Sequence, residues 1–167
     1  MKSRIKTSFP VATAVGVFQA HYTELGLSGL TFPTATLTKF RAPKEKFSSP
    51  KIRQWHRLTS RAVLRVLSGK SISKLPPLDL SKGTDFQKSV WSAMRKITTG
   101  RTKSYGDVAA AVGKPRATRA VGSACGANPI PLLIPCHRVL AAHGKIGGFS
   151  GGLPWKKLLL QREGINL

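Results

Sequence analysis

The sequence predicts an α+β protein of two domains: a small N-terminal β-sheet with one helix in residues 1–80, and a mostly helical C-terminal domain in residues 81–167. β-Branched and aromatic residues lie on both sides of a glycine-containing turn in residues 15–32, which favours a β-hairpin. Apolar residues at helical spacing follow in two later blocks. A stretch with two adjacent prolines at residues 71–83 separates these blocks, and we interpret it as the linker between the domains.

The N-terminal residues admit two interpretations. Three basic residues precede an apolar run at residues 9–20, which superficially resembles a secretory signal. We favour a structural strand, because the run continues into the predicted hairpin and cleavage would remove its first strand. Residues 33–50 are rich in Pro, Ser, Thr and Lys and are predicted to form a loop.

A helix is predicted over residues 51–67, where apolar side chains recur at helical spacing from Ile52 to Val66. A row of arginines occupies another face of this helix at intervals of four residues. Such a row is compatible with contacts to phosphates and equally with a solvated basic face. The row consists of Arg53, Arg57, Arg61 and Arg65.

The C-terminal domain is predicted to open with a capping box of Thr84 and Gln87, at the start of a helix over residues 86–97. Ser104 then caps a short helix that ends near residue 112, before a glycine and a proline. A third helix is predicted over residues 116–126. Two short helices joined by such a turn are typical of a helix-turn-helix.

The charge of the chain points to a polyanionic partner. The 167 residues include 28 Lys and Arg against 6 Asp and Glu, a formal net charge of +22. The excess is spread evenly, with 15 basic and 3 acidic residues in residues 1–82 and 13 and 3 in residues 83–167. We therefore favour binding to nucleic acid, while the charge alone leaves adsorption to anionic membranes or an unusually basic proteome as alternatives. A hydrophobic content of 41% excludes a disordered basic tail, and no apolar run reaches the roughly 18 residues of a membrane helix.

The number of cysteines bears on disulfides and on zinc binding. Cys125 and Cys136 are too few for a disulfide scaffold and too few for a cysteine-based zinc site. We expect no metal, no cofactor and a reducing intracellular setting, cytoplasmic or nuclear.

The residues that carry chemistry follow an apolar segment at residues 129–135 that contains three prolines, which we expect to be extended and buried. Cys136, His137 and Arg138 come next, and a nearby base and cation would raise the thiolate fraction of the cysteine. Adjacent side chains of an extended chain point to opposite sides, so a Cys–His interaction here needs a sharp turn or a bridging water. Glu163 is the only acid in the last 60 residues and is the candidate to orient the histidine. The alternative is a buried structural cysteine, a structural histidine and a surface glutamate.

These motifs resemble the active-site region of O6-alkylguanine-DNA alkyltransferases, also called methylated-DNA–protein-cysteine methyltransferases. The resemblance rests on the segments Asn-Pro-Ile-Pro-Leu-Leu-Ile-Pro-Cys-His-Arg-Val-Leu at 128–140, Gly-Gly-Phe-Ser-Gly-Gly-Leu at 147–153 and Leu-Leu-Gln-Arg-Glu-Gly at 159–164. The predicted helix-turn-helix resembles that of the same family at 104–109 and 119–122. In all, the resemblance covers residues 83–164, about half of the chain.

The resemblance implies DNA repair in a single turnover. The sulfur of Cys136 would take the alkyl group from O6 of guanine, or from O4 of alkylated thymine, in double-stranded DNA and keep it as a thioether. A relay of Glu163, His137 and one water would generate the thiolate. We expect the protein to act as a monomer.

The resemblance also implies substrate contacts. The Tyr105 hydroxyl would bond the flipped base, and Asn128 would tie the recognition helix to the active-site loop. A main-chain carbonyl near Val139 would accept the guanine amino group, and the Ser150 amide would reach O6. Phe149 stands where the family usually has tyrosine, so it keeps the wall of the pocket and loses one hydroxyl.

The third predicted helix would enter the minor groove of DNA. By the same resemblance Arg119 fills the space left by the flipped nucleotide. Small residues would allow a close approach to DNA, namely Ala117, Ala120 and Ala124. Two further predicted DNA contacts are Ser104 and Arg116. We interpret Cys125 as a packing residue rather than a second nucleophile.

Two other function classes remain open from the sequence. A lesion-binding protein of the alkyltransferase-like type would bind without chemistry, but such proteins lack the cysteine that this chain has at position 136. An unrelated Cys–His hydrolase would need an oxyanion hole and would turn over repeatedly.

Overall fold

The computed structural model describes residues 7–33, 47 and 49–167. Within these residues the chain starts with a three-stranded antiparallel sheet of β1 (Thr7–Thr13), β2 (Gly16–Thr23) and β3 (Gly26–Thr31), in that order. The predicted hairpin is confirmed as β2 and β3, and β1 is an additional strand. Pro10 lies opposite Gln19 in β1, which is compatible with the edge of a sheet because an edge strand leaves one row of N–H groups unpaired.

Helix α1 (Pro50–Leu67) confirms the helix predicted over residues 51–67. The Ser49 hydroxyl caps it by accepting the N–H of Ile52, and Pro50 occupies the first turn, where its missing N–H costs nothing. Its buried side chains, Trp55, Ala62 and Val63 among them, face the sheet. The loop predicted at residues 33–50 lies mostly outside the described residues, as do the basic residues of the signal interpretation, Lys2, Arg4 and Lys6.

The stretch predicted to be a linker is attached to the sheet instead. The Leu27 N–H donates to the Pro77 carbonyl at 2.8 Å, and the Asp79 N–H donates to the Leu27 carbonyl at 2.7 Å. Leu78 thereby forms a parallel bridge with Leu27 at the free edge of β3. Residues 77–79 of the predicted linker thus cover part of the edge of β3. The division into domains at residue 80 stays a prediction.

Four further helices form the C-terminal half: α2 (Asp85–Arg95), α3 (Tyr105–Ala111), α4 (Thr118–Gly126) and α5 (Leu153–Arg162). The capping box of Thr84 and Gln87 is confirmed, with both reciprocal hydrogen bonds present. Ser104 caps α3 in the same way, with Asp107 as its partner. Helix α4 begins two residues later than predicted, because the Ala117 N–H closes a turn on the Lys114 carbonyl first. Helix α5 was not predicted.

A short parallel pair of strands, β4 (Lys103–Ser104) and β5 (Val139–Leu140), joins the start of α3 to the segment after Cys136. Helices α2 and α4 pack together, and the Trp91 indole N–H donates to the Ala124 carbonyl at 2.8 Å. These contacts hold the helix-turn-helix of α3 and α4 against the core that carries the cysteine. No helix in the described part of the chain is long and apolar enough to cross a membrane.

The junction of β3 with residues 77–79 generates a stability prediction. Gly26 has φ +149, and a Cβ there would lie 2.2 Å from the Pro77 carbonyl oxygen. We expect Gly26→Ala to lower the free energy of unfolding by about 3 kcal/mol or more, since backbone strain and a clash act together. Urea denaturation measures this.

Gly113→Ala is the matched control, because Gly113 also has positive φ (+72) but a Cβ there meets nothing within 4 Å. We expect it to cost about 1–2 kcal/mol from backbone conformation alone. Equal losses in the two variants would show that the junction does not constrain β3.

Candidate active site

The segment before the cysteine is buried, as predicted, but it is not extended. Leu132 adopts φ +70, and the Ile134 N–H reaches back to the Ile130 carbonyl at 2.9 Å. Prolines restrict their own φ and bias the residue before them, and the residues between them remain able to turn. The segment therefore folds into a compact turn, and residues 136–138 continue it as one turn of 3₁₀ helix.

Asn128 organises this turn through both ends of its amide. Its Oδ1 accepts the Ile130 N–H at 3.0 Å, and its Nδ2 donates to the Ile134 carbonyl at 2.8 Å and to Cys136 Sγ at 3.2 Å. The side chain follows α4 directly in the chain, so it ties the end of that helix to the cysteine.

Cys136 is buried, with 4% of the residue exposed. Burial raises its pKa, and the hydrogen bond from Asn128 and the positive charge of Lys156 oppose the rise without cancelling it. The thiol is thus protonated at neutral pH in the free protein, and a reaction that needs the thiolate needs a proton acceptor within the protein.

His137 is fully buried and pairs with Glu163, with 2.9 Å between its Nε2 and the carboxylate Oε1. Burial lowers the pKa of the imidazole, against the opposing effect of Glu163, so the ring is neutral at pH 7. Because Nε2 donates to the carboxylate, Nδ1 carries the lone pair. Nδ1 is buried and has no hydrogen-bond partner among the described residues. Nδ1 of His137 can therefore accept a proton, and His137 is the residue that follows Cys136 in the chain.

Glu163 is the centre of the ionic network. Its side chain is 1% exposed, which overturns the interpretation of a surface charge. Burial alone would raise its pKa, but hydrogen bonds from His137 and Arg138 outweigh burial and bring the pKa to about 2. The Gly100 N–H also donates to the carboxylate, at 3.2 Å. The carboxylate is ionised throughout the physiological range.

Because Arg138 follows Cys136 closely in the chain, its charge was expected to favour the thiolate. The structure directs this side chain to Glu163 instead. Its guanidinium forms a two-pronged contact with Glu163, with Nε–Oε2 at 3.0 Å and Nη2–Oε1 at 2.9 Å. It also donates to the Ile97 carbonyl at 2.6 Å and to the Thr99 hydroxyl at 3.0 Å. The arginine therefore connects the active-site turn to the end of α2.

A cavity of about 160 Å³ opens beside the cysteine. Three of the five predicted substrate-binding residues line it, whereas Asn128 and Val139 do not. Two glycines and a cysteine of α4 form part of the lining, so this wall of the cavity consists of small residues. The lining residues are Tyr105, Gly122, Cys125, Gly126, Cys136, Gly148, Phe149 and Ser150.

Two aromatic residues shape this cavity. Burial raises the pKa of the Tyr105 phenol, so its hydroxyl keeps its proton and remains a donor. The Phe149 ring meets the ring of Phe32 edge-on, with centroids 5.6 Å apart. Phe32 follows β3, so the N-terminal sheet supports one wall of the cavity.

Lys156 is a site residue that the sequence analysis missed. It lies in α5, is fully buried, and donates to the Val139 carbonyl at 2.7 Å and to the Gly148 carbonyl at 3.2 Å. It thereby joins the strand after the cysteine to the glycine segment of the cavity wall. A lysine in an unpredicted helix gives no local sign of burial.

The predicted DNA-binding residues divide into two groups. Arg116, Arg119 and Ala120 are exposed at the start of α4 and just before it. The Ser104 hydroxyl instead accepts the Asp107 N–H as the cap of α3. Ala124, one of the small residues expected to allow a close approach to DNA, is 2% exposed and packs inward, so it lies outside the exposed face of α4.

Cys125 also faces inward from α4. Its sulfur lies 3.4 Å from the sulfur of Met94, and burial raises its pKa to about 12. It stays a neutral thiol that packs and lines the cavity, in agreement with the prediction of a packing residue.

Comparison with known proteins agrees with this geometry. Residues 85–165 match the family model described as 6-O-methylguanine DNA methyltransferase, DNA binding domain. A Methanosarcina barkeri protein named methylated-DNA–protein-cysteine methyltransferase is 47% identical over 110 residues, which are 64% of this chain and 70% of the relative. The chain belongs to this methyltransferase family.

Other members extend the match over most of the chain. A Mycobacterium tuberculosis protein with the same name is 52% identical over 86 residues, which are 52% of each chain. The crystal structure of the M. tuberculosis protein OGT in complex with DNA superposes with a TM-score of 0.76 at 33% identity, covering 93% of this chain and 91% of that one. The α+β fold class and the family resemblance inferred from the sequence are thus confirmed.

The ionic network generates a pH-dependent stability prediction. The Glu163 pKa is about 4.5 in an unperturbed chain and about 2 in the fold. The network therefore stabilises the fold fully above pH 4.5, and this stabilisation is lost as the pH falls towards 2. We expect Glu163→Gln to lower the free energy of unfolding by about 3 kcal/mol at pH 7.

The difference from the parent protein should shrink below pH 4.5, which denaturant titrations across the pH range would measure. Asp85→Asn is the matched control, because the side chain of Asp85 is fully exposed and only pairs with Lys88 at 3.8 Å. A Glu163→Gln effect that stays constant between pH 6 and pH 3 would contradict the assignment of the network.

Proposed function

We propose that this chain repairs alkylated double-stranded DNA by moving the alkyl group from O6 of guanine to the sulfur of its own Cys136. O4-alkylthymine is the second expected substrate. Besides family membership, one observation carries the proposal: a buried thiol lines a small cavity, and a neutral histidine braced by an ionised glutamate follows it in the chain.

The first step of the reaction is removal of the thiol proton. His137 Nδ1 is the acceptor, and one water links it to Cys136 Sγ, since the two side chains make no direct hydrogen bond in the described part of the chain. Glu163 holds the ring by its Nε2–H and stabilises the imidazolium that forms. The buried ion pair with Arg138 keeps the carboxylate ionised for this purpose.

In the second step the thiolate attacks the alkyl carbon from the side opposite O6. The sulfur–carbon bond forms as the carbon–oxygen bond breaks, and the bonding electrons leave with the guanine, which then takes up a proton. The Tyr105 hydroxyl is a donor at the cavity and stabilises the charge on the departing base. A thioether does not hydrolyse under cellular conditions, so each molecule reacts once.

The lesion has to leave the base stack, because the sulfur of the buried Cys136 cannot reach a base inside a duplex. Arg119 and Ala120 are exposed on α4, and we assign them to the minor groove, with Arg119 in the space that the nucleotide vacates. Arg116 and the Ser104 end of α3 flank this contact. The net charge of +22 favours a DNA contact that needs no particular sequence.

The other pocket residues complete the proposal. Ser150 and Phe149 form the wall around the base. A main-chain carbonyl near Val139 accepts the guanine amino group, and Lys156 holds this strand in place through the Val139 carbonyl. We propose that the protein acts as an intracellular monomer, with residues 1–80 and 81–167 as its two domains.

Incubation with a duplex containing O6-methylguanine, followed by peptide mass mapping, tests this function. We expect one methyl group on Cys136, never more than one per protein molecule, and none in Cys136→Ala. Cys125→Ala is the matched control and should be methylated like the parent protein, because Cys125 packs on Met94 and, unlike Cys136, is not followed in the chain by a buried histidine base.

Repeated turnover, or a methyl group at another residue, would contradict the proposed reaction. Tight binding to the lesion with no methyl group on any residue would support the lesion-binding alternative instead. Hydrolysis of esters with turnover would support the Cys–His hydrolase.

Arg119→Ala separates extrusion of the base from chemistry. Arg119 is exposed on α4 and has no part in the network around Cys136. We expect the variant to react with free O6-alkylguanine base at the rate of the parent protein, but at least about tenfold more slowly with duplex DNA. Single-turnover kinetics on the two substrates measure this, and an unchanged rate on duplex DNA would remove Arg119 from the extrusion step.

A further inference from the structure

Helix α1 carries a cationic surface that the proposed reaction does not use. The α1 arginine row consists of Arg53, Arg57, Arg61 and Arg65, all exposed on the helix side away from the sheet. Lys51 adds a fifth cation, and the 18-residue helix contains no Asp or Glu. The row therefore forms a densely charged, exclusively positive face of one helix.

Five carboxylate side chains lie in the described part of the chain. Glu24 is exposed in the turn between β2 and β3, Asp79 accepts from Thr23, Asp85 lies beside Lys88, Asp107 caps α3, and Glu163 belongs to the active-site network. None of these carboxylates pairs with the α1 arginine row. The charge of the row is thus available to a partner outside the described residues.

The spacing of the row fits a phosphate backbone. Twelve residues of α-helix separate the first arginine from the last, a length of about 18 Å. One DNA strand presents a phosphate every 3.4 Å along the axis, so about five phosphates fall within that length. Arginine guanidinium groups bind phosphate oxygens in a two-pronged manner, which lysine cannot do.

The row leads to a second cationic feature. Arg65 Nε donates to the Ser71 carbonyl at 2.6 Å, and Ser71 lines a cavity of about 410 Å³. The charged side chains that line this cavity are all basic: Lys74, Arg95 and Arg138. The exposed Lys74 and Arg95 extend the positive surface beyond the end of α1.

This surface is separate from the lesion cavity. The two cavities share no lining residue, because one touches the active-site turn at Pro135 and Arg138 and the other touches it at Cys136. Helix α1 packs on the sheet and α5, whereas α4 packs on α2 and α3. DNA is stiff over about 150 base pairs, so a short duplex held by α4 would not bend back to α1.

We propose that the α1 arginine row, continued by Lys74 and Arg95, binds the phosphate backbone of a second DNA duplex while α4 holds the first. The protein would then bridge two duplex segments. The inference goes beyond the proposed function and depends on it only for the duplex held by α4.

A bridging experiment tests the proposal. A biotinylated lesion-free duplex on a surface is loaded with the full-length protein, and retention of a fluorescent second duplex is measured. We expect the parent protein to retain it and Arg57→Gln/Arg61→Gln to lose most of this retention. With two fewer phosphate contacts, the slope of log K against log salt for the second duplex should fall by about 1.8.

Lys82→Gln/Lys157→Gln is the matched control, because it removes the same charge from exposed positions outside the row. It should bridge like the parent protein, and both double variants should keep the parent's thermal midpoint because all four side chains are exposed. Equal loss of bridging in the two variants would overturn the proposal. Retention of single-stranded RNA or anionic vesicles in place of duplex DNA would also overturn it.

Mass mapping of Cys136 in the same protein preparations, after separate incubation with the duplex that contains O6-methylguanine, separates the two hypotheses. Methylation without a retained second duplex overturns the bridging inference alone. A retained second duplex without methylation overturns the proposed reaction and leaves the second DNA surface standing.

Discussion

One buried carboxylate holds the site together. Glu163 lies at the end of α5 and receives hydrogen bonds from His137, Arg138 and the Gly100 amide. A buried charge is tolerated only when it is paired and fully hydrogen-bonded, so the surrounding elements have to meet at this point. Through Arg138 the same carboxylate reaches the carbonyl at the end of α2. The need to pair the buried Glu163 carboxylate therefore fixes the position of His137, whose free ring nitrogen is the base next to Cys136.

The N-terminal sheet takes part in the site without contributing a reacting group. The Leu30 N–H donates to the Pro129 carbonyl at 2.9 Å, and Phe32 packs on Phe149. Together with the amide of Asn128, these contacts bury the turn that carries Cys136. Burial raises the pKa of the thiol and keeps it unreactive towards solvent. The Cys136 thiol then reacts only when a proton acceptor inside the protein removes its proton. Because the thiol is buried, it reacts only with substrates that enter the cavity.

The charge distribution has a structural origin. Among the few carboxylates of the described residues, Asp107 caps a helix and Glu163 pairs inside the fold, whereas most of the many Lys and Arg side chains remain at the surface. Lys156 and Arg138 are exceptions, because each is buried against acceptors that fix the active-site segments. The exposed cations then form separate surfaces on α4 and α1. A protein with this arrangement meets DNA through long-range attraction before any specific contact forms.

Local interactions made much of the fold predictable. The capping boxes at Thr84 and Ser104 and the apolar spacing of α1 depend on residues within a few positions, so the sequence alone determined those helices. The motif around residues 128–140 likewise indicated Cys136, His137 and the need for a distant carboxylate.

Only the tertiary structure decided the turn at residues 129–135, the attachment of residues 71–83 to β3, and the burial of Lys156. The direction of Arg138 towards Glu163 belongs to the same group. Residues 77–79, Arg138 and Lys156 depend on hydrogen-bond partners that are remote in the chain, and neither local spacing nor intrinsic propensity contains that information. The turn at residues 129–135 has local hydrogen bonds, but the positive φ of Leu132 has no counterpart in its propensity.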